Sequence, residues 1–345
     1  MQPGAKPLLT DLLKAVSRSF YLTLRLLPTS VRPQIGLAYL LARTTDTIAD
    51  TELVPVANRL QALDAVRARI LGENMPPVSG RPFAEIAAAQ PDRPGDGTNF
   101  ERVLLQRTEE VIALLDSFSV EDRQRIREVL SIITSGQQLD LQRFGAASPQ
   151  SIIALQTDAE LEDYTYRVAG CVGGFWTTMC RAHVFPRAPL DDGALLRDGV
   201  RFGKGLQLVN ILRDLPRDLG QNRCYLPLER LARVQLTPGD LIDASMEKKL
   251  RPIYDELLDL AESHLAAGWA YTNSLPRSAI RVRIACALPI LIGVKTLGRL
   301  RRENPLDAGR RVKVSRAEVK QILRATLLRY PFSSWWKRLF AEAKS

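Results

Sequence analysis

The sequence predicts an all-α protein folded as one domain over residues 1–345. Three observations predict it. Apolar residues recur at helical spacing along most of the chain, and no strand-like alternation persists. Leu, Ala and Arg dominate while aromatic residues make up only 6%, a composition that favours helix over sheet. The breaks between periodic stretches are short Pro and Gly clusters, and none is long enough to demand a second domain.

The periodic stretches fall, in order, at 8–24, 33–50 and 55–71, then at 100–116, 120–143 and 158–183. They continue at 191–215, 248–272, 277–300 and 315–329. The breaks set their ends. MPPVSGRPF through PDRPGDG, residues 75–97, reads as a mobile surface loop. Shorter breaks stand at 184–190, 219–222, 235–240 and 303–310.

Composition narrows the function classes. With 46% hydrophobic and 25% charged residues the chain is globular, which excludes disorder. The net charge of +10 and a pI near 9.7 point to phosphate-bearing partners: nucleic acid, an anionic membrane or diphosphates. No zinc-finger spacing or RNA-binding aromatic motif is present, so nucleic acid is not the expected partner. No obligate protein partner is expected either. The four cysteines, Cys171, Cys180, Cys224 and Cys286, form no C-x-x-C pair and read as buried, reduced thiols of a cytoplasmic protein. Two histidines cannot build a His-rich metal site. Any metal is therefore held by carboxylates, which suits a hard ion such as Mg²⁺. The N-terminus shows no secretory signal. The longest apolar run, 284–294, is far short of the roughly 20 residues that span a bilayer.

The chemistry lies in two acidic stripes. An i, i+4 acidic pair alone means little, since 38 acids in 345 residues give about four by chance. Asp255 and Asp259 are such a pair, on an ordinary amphipathic helix with its charges in water. Residues 33–50 differ: PQIGLAYLLARTTDTIAD is apolar nearly all round. Its charged residues, Arg43, Asp46 and Asp50, are preceded by Tyr39, and the four step by 4, 3 and 4 and so share one face. A helix of that kind belongs in the interior, and its stripe then faces an enclosed cavity. The stretch around 202–218 repeats the pattern with Gly203, Gln207, Asn210, Asp214 and Asp218, and Arg213 stands beside them. Pro216 is expected to bend or end that helix. Arg223 lies just beyond.

Two inward carboxylate pairs repel unless a divalent cation offsets them. Arg43, Arg213 and Arg223 suit a diphosphate, which guanidinium grips in a bidentate way. The chemical reading is a diphosphate bound by Mg²⁺ and arginine at the mouth of an apolar helical cavity. The alternative is a set of buried structural ion pairs. A third stretch, EDYTYRVAGCVGGFW, carries Gly170, Gly173 and Gly174, which are costly in a helix unless something approaches the backbone closely. Its Tyr164 and Tyr166 are either core aromatics or faces that stabilise a carbocation.

These residues resemble the squalene and phytoene synthase family, the head-to-head prenyl diphosphate synthases. The matching pieces are SRSF (17–20), YLLARTTDTIAD (39–50), YTYRVAG (164–170), GLQLVNILRDLPRD (205–218), NRCYLP (222–227) and ALPILIGVKTL (287–297). The resemblance implies the isoprenoid synthase fold, helices around a deep apolar cavity. It makes Asp46, Asp50, Asp214 and Asp218 metal ligands. Arg18, Arg43, Arg213 and Arg223 match diphosphate-contacting positions. Ser17, Ser19, Phe20, Tyr39, Gln207 and Asn210 match pocket positions, and Tyr164 matches a tyrosine that steers the cation or takes its proton. The implied substrate is farnesyl diphosphate, joined head to head through presqualene diphosphate.

ALPILIGVKTL and the basic tail after it resemble squalene synthases more than phytoene synthases. The resemblance therefore implies reduction by NADPH. No G-x-G-x-x-G fingerprint is present, and Arg311 and Lys313 are the candidates for the cofactor's phosphates. A solvated basic loop is the other reading of those two. Sibling activities remain open: presqualene diphosphate, hydroxysqualene, and phytoene or dehydrosqualene synthesis, and also a non-catalytic assembly role. The segment 330–345 combines Trp335, Trp336 and Phe340 with Lys337 and Arg338. It suits either a bilayer interface or docking onto the domain. A cytoplasmic location with peripheral contact to the inner face of the membrane is the expectation.

Overall fold

Helix makes up nearly all the secondary structure in the computed structural model, which describes residues 12–16, 20–78, 81–90, 99–148 and 150–344. The chain divides into two compact units, one from residues 1–145 and 178–186, the other from 146–177 and 187–345.

The first unit holds α1 (Leu13–Val16), α2 (Phe20–Leu26), α3 (Arg32–Ala49), α4 (Val56–Leu71), α5 (Arg81–Ala88), α6 (Phe100–Gln106), α7 (Thr108–Ala113) and α8 (Val120–Phe144). Pro33 sits in the first turn of α3, where its missing N–H has no intrahelical partner to lose. Helix α3 packs on α4 and α8. Leu37, Leu40, Leu41 and Ile48 are fully buried there, as are Leu63 and Val66 of α4 and Ile126 of α8. The threonines of α3 are buried too. Thr44 and Thr47 donate their hydroxyls to the carbonyls of Leu40 and Arg43, at 3.0 and 2.8 Å, so neither hydroxyl is left unmet. At the end of the helix, buried Arg59 closes the Ala49 carbonyl at 2.7 Å.

Two expectations change in this unit. The Pro- and Gly-rich stretch 75–97 is not all loop, because residues 81–88 form α5; residues 91–98 lie outside those described. The expected helix 100–116 breaks at Arg107, whose φ of −103° and ψ of 18° leave the helical region.

The second unit begins with the strand β1 (Ile153–Ala154) and α9 (Asp158–Thr165). A π-helical turn, Tyr166–Gly170, leads into α10 (Cys171–His183). It continues with α11 (Asp192–Gly220), β2 (Arg223–Cys224), α12 (Leu228–Arg233), α13 (Glu247–Ser274), α14 (Ile280–Leu300), α15 (Arg316–Arg329) and α16 (Ser333–Lys344). The strands pair in parallel, Ile153 opposite Arg223 and Ala154 opposite Cys224.

Helix α11 is the centre of this unit and packs along α13 and the π turn. Its contact with the π turn and α10 is backbone to backbone. A Cβ on Gly173 would stand 1.8 Å from the Gly199 carbonyl oxygen, and one on Gly203 would stand 2.1 Å from that of Ala169. No side chain fits in either place, which is why these glycines persist in helices they destabilise.

Pro216 neither ends α11 nor stops it short, since the helix runs on to Gly220. The proline has no N–H to give the Leu212 carbonyl, four residues earlier. The hydroxyl of fully buried Tyr254, on α13, donates to that carbonyl instead, at 2.9 Å. The missing rung is filled from a neighbouring helix.

The C-terminal aromatics divide. Trp336 is buried, stacks on Trp269 at 5.3 Å and donates its Nε1 proton to Asn273 Oδ1 at 2.8 Å. Phe340 stacks on the same Trp269 at 6.0 Å. Trp335 stays in solvent. All four cysteines are buried free thiols, and burial pushes Cys171 and Cys286 up to about 12, so both stay neutral. Among the described residues no helix is long and apolar enough to cross a membrane.

Candidate active site

In α3, from Gln34 to Ala49, every residue is buried except Tyr39, Ala42, Arg43 and Asp46. The accessible strip of the helix is thus its polar stripe, and Asp50 continues it, exposed, just past the last turn. Arg43 is the hub. Its Nη1 donates to Asp46 Oδ2 at 2.6 Å and its Nη2 to Glu101 Oε1 at 3.2 Å. Its Nε is buried and has no acceptor among the described residues. The guanidinium is thus held at two corners by charged hydrogen bonds.

The charges on this stripe are in tension. Burial pushes the Asp46 carboxyl above the usual carboxylate range, and the Arg43 guanidinium only partly opposes it. The side chain nonetheless remains 43% accessible. A carboxylate on this stripe that solvent can reach is open to a hard cation.

On α11 the stripe runs from buried Gly203 through half-buried Gln207 and exposed Asn210 to half-buried Asp214 and Asp218. Arg213 grips Asp214 with both arms, Nε to Oδ1 at 2.9 Å and Nη2 to Oδ2 at 2.5 Å. Arg311, from the strap after α14, adds Nη2 to Oδ1 at 3.3 Å. Burial alone would raise the Asp214 carboxyl; the two arginines outweigh it and hold the group below the usual range. Asp218 adds its negative charge to the burial that pushes the Cys224 thiol up to about 12. Tyr164 stacks on the buried Tyr225 ring, 4.7 Å between centroids and 26° between planes. Tyr225 follows β2, which also carries Arg223, so the small parallel ladder aligns both.

Among the described residues no three acidic, histidine or cysteine side chains converge on one point. The acids stand in i, i+4 pairs. Mg²⁺ takes one or two carboxylates and fills its shell with water and phosphate oxygens, so such pairs match its needs. Asp255 and Asp259 behave differently. They face Arg251 and Arg301, at 3.6 and 2.6 Å, with 43% and 71% of their side chains exposed.

A sequence profile described as squalene/phytoene synthase matches residues 13–318. The chain belongs to the squalene/phytoene synthase family. This is a family of prenyltransferases that join prenyl diphosphates head to head.

Among its curated relatives is the bifunctional lycopene cyclase/phytoene synthase of Aspergillus oryzae, 28% identical over 77% of this chain and 43% of that one. The squalene synthase of Schizosaccharomyces pombe is 26% identical over 91% of this chain and 63% of that one. The presqualene diphosphate synthase of Rhodopseudomonas palustris is 28% identical over 77% and 78%. The chain thus spans less than two thirds of the first two. A solved ligand complex of TcSQS shares the fold, with a TM-score of 0.72 at 22% identity over 98% of this chain and 92% of that one.

Not every position assigned to this family member from its sequence is placed. Ser17, Arg18 and Ser19 lie outside the described residues, and Phe20 is described in its backbone only. Lys313 is exposed, with its carbonyl taken by Arg299. Two residues were not legible as site members. Glu101 reads as an ordinary acid in a first helical turn behind the Asn99 cap, and nothing near it in sequence points to Arg43. Tyr225 stands inside NRCYLP, which marks the motif without showing which ring it supports.

Proposed function

We propose that this chain is a squalene synthase, joining two farnesyl diphosphates through presqualene diphosphate to squalene with Mg²⁺ and NADPH. The observation that carries the reading is the pair of accessible aspartate stripes, each with an arginine already bonded to it. Asp46, Asp50, Asp214 and Asp218 would hold Mg²⁺, which supplies the positive charge that makes diphosphate a leaving group. Arg43, Arg213 and Arg223 bind diphosphate oxygens in this reading. Gln207, Asn210 and Tyr39 line the stripes beside them.

The carbon–oxygen bond of one farnesyl diphosphate breaks and the diphosphate leaves with the electron pair. The double bond of the second farnesyl chain attacks the allylic cation, a proton departs, and a cyclopropane closes. Tyr164, braced on Tyr225, offers a ring face to the cation and a phenol oxygen to the proton. NADPH would supply the hydride for the reductive step, with Arg311 and Lys313 on its phosphates.

A second reading, presqualene diphosphate synthase, draws on one contact. Arg311 is paired with Asp214 at 3.3 Å, and in this reading it serves the diphosphate instead of a nicotinamide cofactor. Product analysis separates the two. Purified protein is incubated with Mg²⁺ and farnesyl diphosphate, with and without NADPH, and the extract is identified by gas chromatography and mass spectrometry after phosphatase treatment. Squalene only with NADPH supports the two-step reading. Presqualene diphosphate under both conditions supports the second, and hydroxysqualene or dehydrosqualene would name a sibling. No product from farnesyl or geranylgeranyl diphosphate would turn the assignment toward a non-catalytic assembly role. Peripheral contact with a membrane, natural for such hydrophobic chains, is part of the same proposal.

A further inference from the structure

The turn joining α15 to α16 carries an apolar ridge in open solvent. Leu327 is 48% exposed, Leu328 73%, and Phe332 and Trp335 each 53%. The Phe332 and Trp335 rings rest on one another at 4.9 Å, so they form one wedge. The wedge is not on a loose tail. Behind it the Tyr330 hydroxyl donates to the Arg277 carbonyl at 2.6 Å, and Arg277 Nη2 donates to the Pro331 carbonyl at 3.1 Å. Trp336 anchors the next turn against Trp269. Folding has therefore fixed large apolar groups in water and given them no cover.

The surrounding charge is mostly positive. Lys320, Arg324, Lys337 and Arg338 are exposed. On α15, residues 320, 324, 327 and 328 share a face, and on α16 Trp335 and Arg338 do. The acids of these two helices are already engaged. Glu318 pairs with Arg299 and Lys295, and Glu342 with Arg329. The ridge is thus apolar and aromatic at its crest and basic along its flanks. A second copy of the chain would bring the same positive flanks against these. A bilayer interface with anionic headgroups offers what each part lacks: hydrocarbon for the crest and phosphate for the flanks.

We propose that the α15–α16 turn docks this protein on anionic lipid, with Phe332, Trp335 and Leu328 entering the boundary between headgroups and acyl chains. This deepens the membrane contact of the proposed function, but it rests on the surface and not on the reaction.

The test uses the full chain in vesicle flotation, with vesicles of phosphatidylcholine alone and of phosphatidylcholine mixed with phosphatidylglycerol. Wild type should float with the anionic vesicles, less so as salt rises, and Trp335 emission should shift to the blue. The double variant Phe332→Ala, Trp335→Ala should weaken binding by about tenfold or more, with unchanged circular dichroism. Replacing Lys320, Arg324, Lys337 and Arg338 with Gln should remove the preference for anionic vesicles. The exposed Leu53→Ser, in the other unit, should change nothing. Equal binding of wild type and double variant overturns the proposal, as does failure of wild type to float. A concentration-dependent dimer in sedimentation that the double variant abolishes, without flotation, would identify a second copy as the occupant and overturn it too. Flotation reads no product, so a failed synthase assay and a failed docking test are told apart.

Discussion

Arg43 stands between two carboxylates of unlike standing: Asp46, three residues on and accessible, at 2.6 Å, and Glu101, on another helix and 9% exposed, at 3.2 Å. The buried partner fixes the fork, and the accessible one is free to exchange it for a cation. Glu101→Gln keeps the shape and removes the charge. Pyrophosphate binding in Mg²⁺, followed by calorimetry, should weaken by about ten- to a hundredfold, the cost of loosening one charged hydrogen bond. KM for farnesyl diphosphate should rise more than kcat falls. A shift in melting temperature with unchanged pyrophosphate affinity would reduce Glu101 to a packing role.

The aspartate stripes predict a contrast. Asp46→Ala and Asp214→Ala should each abolish turnover while circular dichroism stays native, because both side chains lie on accessible faces. Asp255→Ala should be nearly silent, its half-exposed carboxylate meeting Arg251 at 3.6 Å. Activity surviving in either of the first two variants, or lost in the third, would remove the basis of the site assignment.

Acid stability should trace to Asp122. This buried carboxylate accepts from His183 Nε2 at 2.8 Å, Gln34 Nε2 at 3.1 Å and Arg125 Nη1 at 2.9 Å. Burial alone would raise it; these partners outweigh that and hold it below the usual range. The unfolded chain therefore binds this proton more readily than the fold does. The cluster stabilises fully above the unfolded value of about 3.9 and loses its contribution as pH falls through the lower folded value. Asp122→Asn should lower the melting temperature at neutral pH, by about 1–3 kcal/mol of stability, and flatten its decline in acid. Parallel melting curves for both proteins between neutral pH and pH 2 would contradict this.

Pro216 and Tyr254 should be energetically coupled. Tyr254→Phe orphans the buried Leu212 carbonyl and should cost about 1–3 kcal/mol. Pro216→Ala returns an N–H to that carbonyl, so the double variant should recover most of the loss. Denaturant unfolding of all four proteins measures the coupling, and strict additivity would mean the hydroxyl is not the substitute donor.

How much was legible in the sequence follows from where each contact lies. The α3 stripe was readable because a helix apolar on every other face admits one orientation, and the structure leaves that stripe alone accessible. The glycines of 170–174 foretold a close approach, and Gly173 meets the Gly199 backbone. Glu101 was not readable, since its partner is 58 residues away and burial is a tertiary property. The continuation of α11 past Pro216 was hidden for the same reason: the compensating donor sits on α13. Composition grouped Trp335, Trp336 and Phe340 together, but only packing shows that the last two turn inward and the first does not.

The Tyr254 hydroxyl also constrains history. A chain with an N–H at position 216 tolerates Tyr or Phe at 254 almost equally, because the helix closes its own carbonyl. A chain with Pro216 does not. The low-cost path places Tyr254 first and Pro216 second; the opposite order passes through an unmet carbonyl in the helix that bears Asp214 and Asp218. Once both are present, reversion at 254 is closed until 216 reverts. The pair works as a ratchet, with the tyrosine first optional and later required, although its own bond never changes.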